Sequence, residues 1–411
     1  MSSAALAIST KAATLALLQG RLKSARITPL VLFAVADWRQ DRRGCLAQVQ
    51  PSLDDGPWIV RSSCQREDGA NESNAGAFLS LPNVSADGLE SAVEQVIAAY
   101  GVAADADEVL IQPMLQGVVR SGVAFSHDPN TCAPYKVVNW SEGADTAIVA
   151  GGQGGRTWQG AALSPVSPPS ALVGVVALLE ELLALFGGVP VDCEFAVTHE
   201  DDTEVLWLLQ VRPLVMPAAS ESSEAQARRL SLIADKVARG MRPHPFLIGR
   251  RTVYGVMPDW NPAEIIGVRP KPLALSLYRE LVTDAIWAYQ RHNYGYRNLR
   301  GFPLMPHFFG MPYIDVRLSF NSFIPADLDD GLAGRLVDHY IDRLLAEPTL
   351  HDKVEFEIVF SCYTLDLPQR LERLVETGFS AEERTAIADS LRRLTNRIVH
   401  PKEGLWRADA A

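Results

Sequence analysis

The sequence predicts an α+β chain: an N-terminal domain built on strands, followed by a smaller mixed α/β, helix-rich region. Three observations carry this. Short runs of alternating polarity mark strands, above all Val191–Val197 and Val205–Val211 around a polar turn. Pro-rich joints at Met241–Pro245, Asp259–Pro262 and Arg269–Pro272 divide a second half whose apolar spacing is mostly helical. At 411 residues the chain is long for a single core, so two or three domains are expected.

Composition narrows the function classes. Hydrophobic residues make up 47% and charged residues 21%, an ordinary globular balance with no signature of disorder. The net charge of −11 supplies no global field for nucleic acid or an anionic membrane, so any phosphate site must be a local basic pocket. Five scattered cysteines without a C-x-x-C pair argue for a reducing compartment, and against a disulfide framework or a zinc cluster. The apolar run Ala171–Val189 is interrupted by Glu180 and Glu181, which argues against a membrane span. A soluble, cytoplasmic protein is expected, with neither nucleic acid nor membrane as partner.

Along the chain, Ser9 is placed to cap a helix running to about Ser24. Lys11 falls in its first turn, where a cation opposes the helix dipole unless an anion lies nearby; the alternative is a solvated surface lysine. A strand at Val31–Val35 follows, then Trp58–Val60, which delivers Arg61 at its end. The loop from Ser62 to Ala77 is dense in hydroxyl and glycine residues, which either close over phosphate oxygens or simply form a loop. Strands at Glu108–Gln112 and Val118–Ser126 are separated only by a short joint and are expected to pair as a hairpin. The glycine-dense stretches Asn139–Gly143 and Gly151–Gly155 permit close backbone approach to a ligand, or tight turns.

The hairpin Val191–Pro213 carries the most chemistry. Pairing centred near Asp202 sets Glu194 opposite Gln210, and strand periodicity sets Arg212 on the face of Gln210. A carboxylate and an amide oxygen suit Mg²⁺, and a forked cation suits phosphate. An ordinary hairpin with a wet polar face is the competing reading. Beyond it, residues 218–240 read as a linker or an exposed helix start, and Leu273–His292 as a helix. Tyr313–Asn321 alternates as a strand, either a pocket wall or a half-exposed sheet strand, and further helices are expected at 331–345, 352–360 and 381–398.

Four motifs recur in a fixed order: RSS…ED…S-x-AG at Arg61–Gly76, VLIQPM…SGVAFSHDP at Val109–Pro129, SEG…GG at Ser141–Gly152, and EFA…LLQVRPL at Glu194–Leu214. The series resembles the nucleotide-binding domain of the phosphoenolpyruvate synthase and pyruvate phosphate dikinase family, which includes rifampicin phosphotransferase. The resemblance covers about residues 1–217 and implies an ATP-grasp fold there, a linker at 218–240, and a region of another role at 241–411. By residue, it implies that Lys11, Arg61 and Arg212 contact phosphates and that the Ser73–Gly76 segment closes over the triphosphate. Gln112, Pro113 and Met114 would hold adenine with Glu142 and Gly143 nearby, and Glu194 and Gln210 would ligate Mg²⁺. ATP and Mg²⁺ are thus the implied cofactors. Arg61 and Arg212 are the implied catalytic cations, since phosphoryl transfer needs mainly alignment and charge neutralisation.

The departures also matter. Family members pass the β-phosphoryl group of ATP to a histidine in a T-S-H-A-like context on a separate domain, and none of the eight histidines here has that context. The acceptor is therefore a small molecule or a separate phosphohistidine domain. The dikinase-type phosphotransferase stands against two alternatives. One is an ATP-grasp ligase forming an acyl phosphate, the other a non-catalytic nucleotide-binding accessory domain.

Overall fold

The computed structural model describes residues 6–64, 79–143, 155–201, 203–214 and 221–400, and the chain divides into two compact units, Met1–Leu230 and Ser231–Ala411. The division falls inside a helix, Ser223–Gly240, so part of the segment expected as a linker is helical. Ser73, Gly76 and Gly151 lie outside the described residues.

The first unit contains two antiparallel sheets. The four-stranded sheet has the order β1-β4-β2-β3, with β1 at Val31–Ala34, β2 at Trp58–Ser63, β3 at Ser80–Val84 and β4 at Glu108–Pro113. Its apolar face buries Val60, Val109 and Ile111 against the helix Leu89–Ala99 and short helical turns between β1 and β2. The five-stranded sheet has the order β7-β6-β5-β8-β9. Its strands are β5 at Val118–Phe125, β6 at Tyr135–Glu142, β7 at Arg156–Ala161, β8 at Val191–Glu200 and β9 at Thr203–Pro213. One face of this sheet packs Ala124, Val138, Phe195 and Leu208 with leucines of helices α1 (Lys11–Leu18) and α2 (Val173–Leu185).

Several expectations are corrected. β4 and β5 do not form a hairpin: β4 is flanked by β1 and β2, and β5 by β6 and β8, so the joint between them links two sheets. Thr10, not Ser9, caps α1, its hydroxyl accepting from the Ala13 N–H at 3.2 Å. α1 ends at Leu18 and the chain turns at Gly20, whose φ of +72° lies in the left-handed region that glycine tolerates.

The β8–β9 hairpin gives the expected Glu194–Gln210 pair, but through a bulge: the pairs nearer the turn are centred half a residue before Asp202. Glu194 pairs with Gln210, but Phe195 pairs with Leu208, leaving Leu209 as an extra residue. The bulge inverts the side-chain parity of β9, so Leu208 enters the core while Gln210 lies on the opposite face with Glu194.

In the second unit, Tyr313–Asn321 is not a strand. Only Ile314–Asp315 is extended; Val316–Asn321 is helical, and the Asp315 carboxylate caps it by accepting from the Leu318 N–H at 3.2 Å. All six helical residues are buried, so the polar row does not line a wet wall. Arg317 donates to the carbonyls of Gly240 and Arg242 at 3.0 and 2.9 Å, and the Asn321 side chain bonds the backbone of Ile248. The expected helix at 273–292 is broken into Pro272–Tyr278 and Ile286–Tyr294 with a π-helical turn after the first piece, and that at 352–360 shrinks to Val354–Glu357. The helices Asp330–Ala346 and Ala381–Ile398 match their expected positions and build the second core around Phe320, Tyr340 and Phe360. Among the described residues, no helix is long and apolar enough to cross a membrane.

The sheet register makes a stability prediction. A Cβ on Gly122 of β5 would lie 2.3 Å from the Asn139 carbonyl oxygen and 2.9 Å from the Phe195 ring. Gly122→Val therefore costs about 1–3 kcal/mol by overpacking, read from urea unfolding. An unchanged midpoint would mean that β5, β6 and β8 are not paired in this register.

Candidate functional site: a cavity between two sheets

The register of the five-stranded sheet writes out its second face. Directly opposite residues share a face, so Thr157, Asn139, Val123, Glu194 and Gln210 form one row across β7, β6, β5, β8 and β9. Asp192 and Arg212 belong to the next row, and Ser141, Ser121 and Ala196 to the row on the other side. The first face is core, whereas this one carries carboxylates, amides, hydroxyls and a guanidinium.

Arg61 reaches this face from β2 of the other sheet. Its Nη1 donates to the Leu209 carbonyl at 3.2 Å, the oxygen of the bulge residue. Its Nη2 donates to Gln210 Oε1 at 3.2 Å and lies 3.5 Å from Glu194 Oε2. The Arg61 side chain is 12% exposed and that of Glu194 39%, so the carboxylate keeps access to solvent and ligand. Two hard oxygens and a cation thus meet at one point, as the hairpin symmetry anticipated for Glu194 and Gln210.

A cavity of about 360 Å³ opens beside this point. The β4–β5 joint, Gln112 to Gln116, forms one wall, while Arg61, Ala196 and Leu209 close the end nearest the Glu194–Gln210 row. The Gln112 amide is buried and oriented by donating to Thr28 Oγ1 at 2.8 Å, and Thr28 itself lines the cavity. The Met114 N–H is committed to the Pro57 carbonyl at 2.9 Å. Arg61, Gln112, Pro113 and Met114 are therefore brought to one cavity.

The other candidates lie around it. Arg212 does not line the cavity; its Nε donates to both carboxylate oxygens of Asp192 at 2.9 Å, and Asp192 is buried. Lys11 is buried at the start of α1 and is not a lining residue either. At that helix start the Glu108 carboxylate accepts from the hydroxyls of Thr10 and Ser63, while Ser63 Oγ accepts from the Ala12 N–H at 3.0 Å. Glu142 ends β6 and faces Arg156 at 3.3 Å with both side chains largely exposed, and Gly143 donates its N–H to Val119 at 2.8 Å.

Sequence reasoning missed Asp192, Thr28 and Glu108. Asp192 was findable, since it stands two residues before Glu194 and so shares its face. Thr28 carries no local signal; only the fold brings it to Gln112. Among the described residues no cluster of three His, Cys, Asp or Glu side chains is poised for a metal, so a cation here would rely on the Glu194–Gln210 pair and on a ligand's own oxygens. That all-oxygen pair suits a hard ion such as Mg²⁺. The neighbouring Cys193 thiol faces the core, and burial holds its pKa far above the ordinary thiol value.

No protein-family model matches the chain, and no curated protein matches its sequence. Among solved structures, D-alanine–D-alanine ligase from Helicobacter pylori is 16% identical, with 53% of this chain and 56% of that one covered at a TM-score of 0.30. The corresponding ligase from Coxiella burnetii is 9% identical, with 50% and 47% covered at 0.30. The Ca. Korarchaeum cryptofilum protein ACD1, in complex with coenzyme A, is 12% identical, with 46% and 86% covered at 0.27. The chain thus spans about half the length of the two ligases. At such scores the overlap is partial, and the architecture rests on the strand order and register above.

The Asp192–Arg212 pair yields a prediction. Asp192→Ala removes a buried carboxylate from a charge-assisted contact with a partly exposed arginine, so it destabilises the first unit by about 1.5–3 kcal/mol. A double-mutant cycle with Arg212→Ala recovers part of that loss; additive losses would show that the two side chains do not interact.

Proposed function

We propose that Met1–Leu230 is an ATP-grasp unit that binds Mg²⁺·ATP and transfers a phosphoryl group to an acceptor. The observation that carries this reading is the convergence of Arg61, Glu194 and Gln210 at the end of the cavity walled by the β4–β5 joint. The volume of about 360 Å³ suits a base and sugar, with the phosphates directed to the polar row. Adenine would lie against the joint. Because the Met114 N–H is already used, the base would be read by the joint's other backbone groups and the Gln112 amide. Glu194 and Gln210 would hold Mg²⁺, which when bound supplies charge neutralisation for the phosphate chain. Arg61 is prepositioned to offset charge that grows on the transferring oxygens, with its geometry fixed by the Leu209 carbonyl.

Two chemistries fit this apparatus. In the ligase form, an acceptor carboxylate oxygen attacks the γ-phosphorus and ADP leaves. An incoming nucleophile then attacks the acyl carbon of the resulting acyl phosphate, and phosphate leaves. In the dikinase form, a histidine nitrogen bonds the β-phosphorus as the bond to AMP breaks, and water cleaves the β–γ bond to release phosphate. The motif order favours the dikinase, whose acceptor histidine lies on a separate domain; among the described residues no histidine lines the cavity. His127 closes β5 beside Ser126, and His199 faces Glu204 near the hairpin tip. The ligase form completes its reaction on a small carboxylate and needs no phosphohistidine segment, a context none of the eight histidines here has, so we favour it.

Product analysis separates the two: with Mg²⁺, ATP and a carboxylate acceptor, the chain yields ADP, whereas AMP with phosphate would establish the dikinase form. Glu194→Ala is expected to lower turnover about 100-fold or more, by the scale of lost electrostatic stabilisation, when assayed well below its own unfolding midpoint. Full turnover in that variant would remove Glu194 from the metal site.

A further inference from the structure

The second unit holds a groove of about 840 Å³ along the helix Asp330–Ala346, and its charge balance is specific. Three aspartates line it, and each is already paired: Asp330 with Arg297, Asp338 with Arg250 at 2.8 Å, and Asp342 with Arg251 at 2.6 Å. Arg335 is paired with Glu383 and stacks on the Phe379 ring at 4.4 Å. Arg343 also lines the groove, and among the described residues its guanidinium has neither a hydrogen-bond nor an ion-pair partner; its Nε is buried. The remaining titratable lining group, His339, is held below its ordinary value by burial and by Arg343, with Asp342 opposing, so at neutral pH it adds no charge. Four ion pairs cancel, and one positive charge is left.

We propose that this groove binds a small organic carboxylate, seated on Arg343 with its apolar body against Phe379. Arg343 is half-buried with its Nε buried and without a partner, and a carboxylate gives such a guanidinium two parallel charge-assisted hydrogen bonds. One unpaired cation matches one negative charge. The second charge of a phosphate dianion would find no free cation and would lie among Asp330, Asp338 and Asp342. The body of the ligand has an apolar wall in Phe379 and Pro243, and a floor opened by Gly331 and Gly334, which stand about one turn apart. The proposal goes beyond the nucleotide reading and does not depend on it, since every residue it uses belongs to Ser231–Ala411.

The test is equilibrium binding to the full chain at neutral pH, by calorimetry or saturation-transfer NMR, with benzoate and hexanoate as probes. Benzamide serves as the neutral counterpart of benzoate and phenyl phosphate as the dianion. Saturable carboxylate binding is expected, with benzamide and phenyl phosphate at least about tenfold weaker, the scale of one charge-assisted contact. Arg343→Gln should weaken benzoate at least about tenfold, for the same reason. Gly334→Leu is the control for folding: a Cβ there meets nothing within 4 Å, so the side chain fills open groove space while improving helix propensity. That variant should keep or raise the unfolding temperature and lose benzoate binding. No carboxylate binding to the wild-type chain, equal binding of benzamide or phenyl phosphate, or undiminished benzoate binding in either variant would each overturn the proposal.

Discussion

A single guanidinium ties the two sheets of the first unit together. Arg61 leaves β2 of the four-stranded sheet and ends on Leu209, Gln210 and Glu194 of the five-stranded one. With 12% of its side chain exposed, it is too buried to stand without counter-groups, and the opposite sheet supplies three oxygens. The requirement explains the bulge in β9. A regular ladder would consume the Leu209 carbonyl and would put Leu208 and Gln210 on the same face. The extra residue frees that carbonyl and separates the apolar Leu208 from the polar Gln210. Chemistry and packing are satisfied by one irregularity.

What the sequence made legible was local. A hairpin whose loop is too polar to bury suggests a centre near Asp202 and so Glu194 opposite Gln210, but the pairs nearer the turn run half a residue off that centre, and the bulge at Leu209 is what brings Gln210 opposite Glu194. The long amphipathic helices at Asp330–Ala346 and Ala381–Ile398 were visible because each has one buried and one wet face. Non-local choices were not legible. β4 and β5 are neighbours in sequence, yet each finds both its partners elsewhere, and no local pattern reports that. At Val316–Asn321 the alternation misled because every residue is buried: with no wet face, polarity records hydrogen-bond partners rather than orientation.

The same logic separates anchoring from availability among the cations. Arg212 matches a phosphate-contacting arginine by motif, yet its Nε donates to both carboxylate oxygens of Asp192, which fixes it beside the polar row. Lys11 is buried at a helix start where Glu108 is the anion already present. Arg61 borders the cavity, and Arg343 in the second unit is the cation left after its neighbours' charges cancel.

The central claim is that nucleotide occupies the cavity between the two sheets. Amide hydrogen exchange of the full chain, with and without Mg²⁺ and a non-hydrolysable ATP analogue, tests it most directly. The account predicts protection concentrated in Met114–Val118, in β2 around Arg61 and in the Glu194–Gln210 segment of the hairpin. Binding of the analogue with no protection at these three places would contradict it.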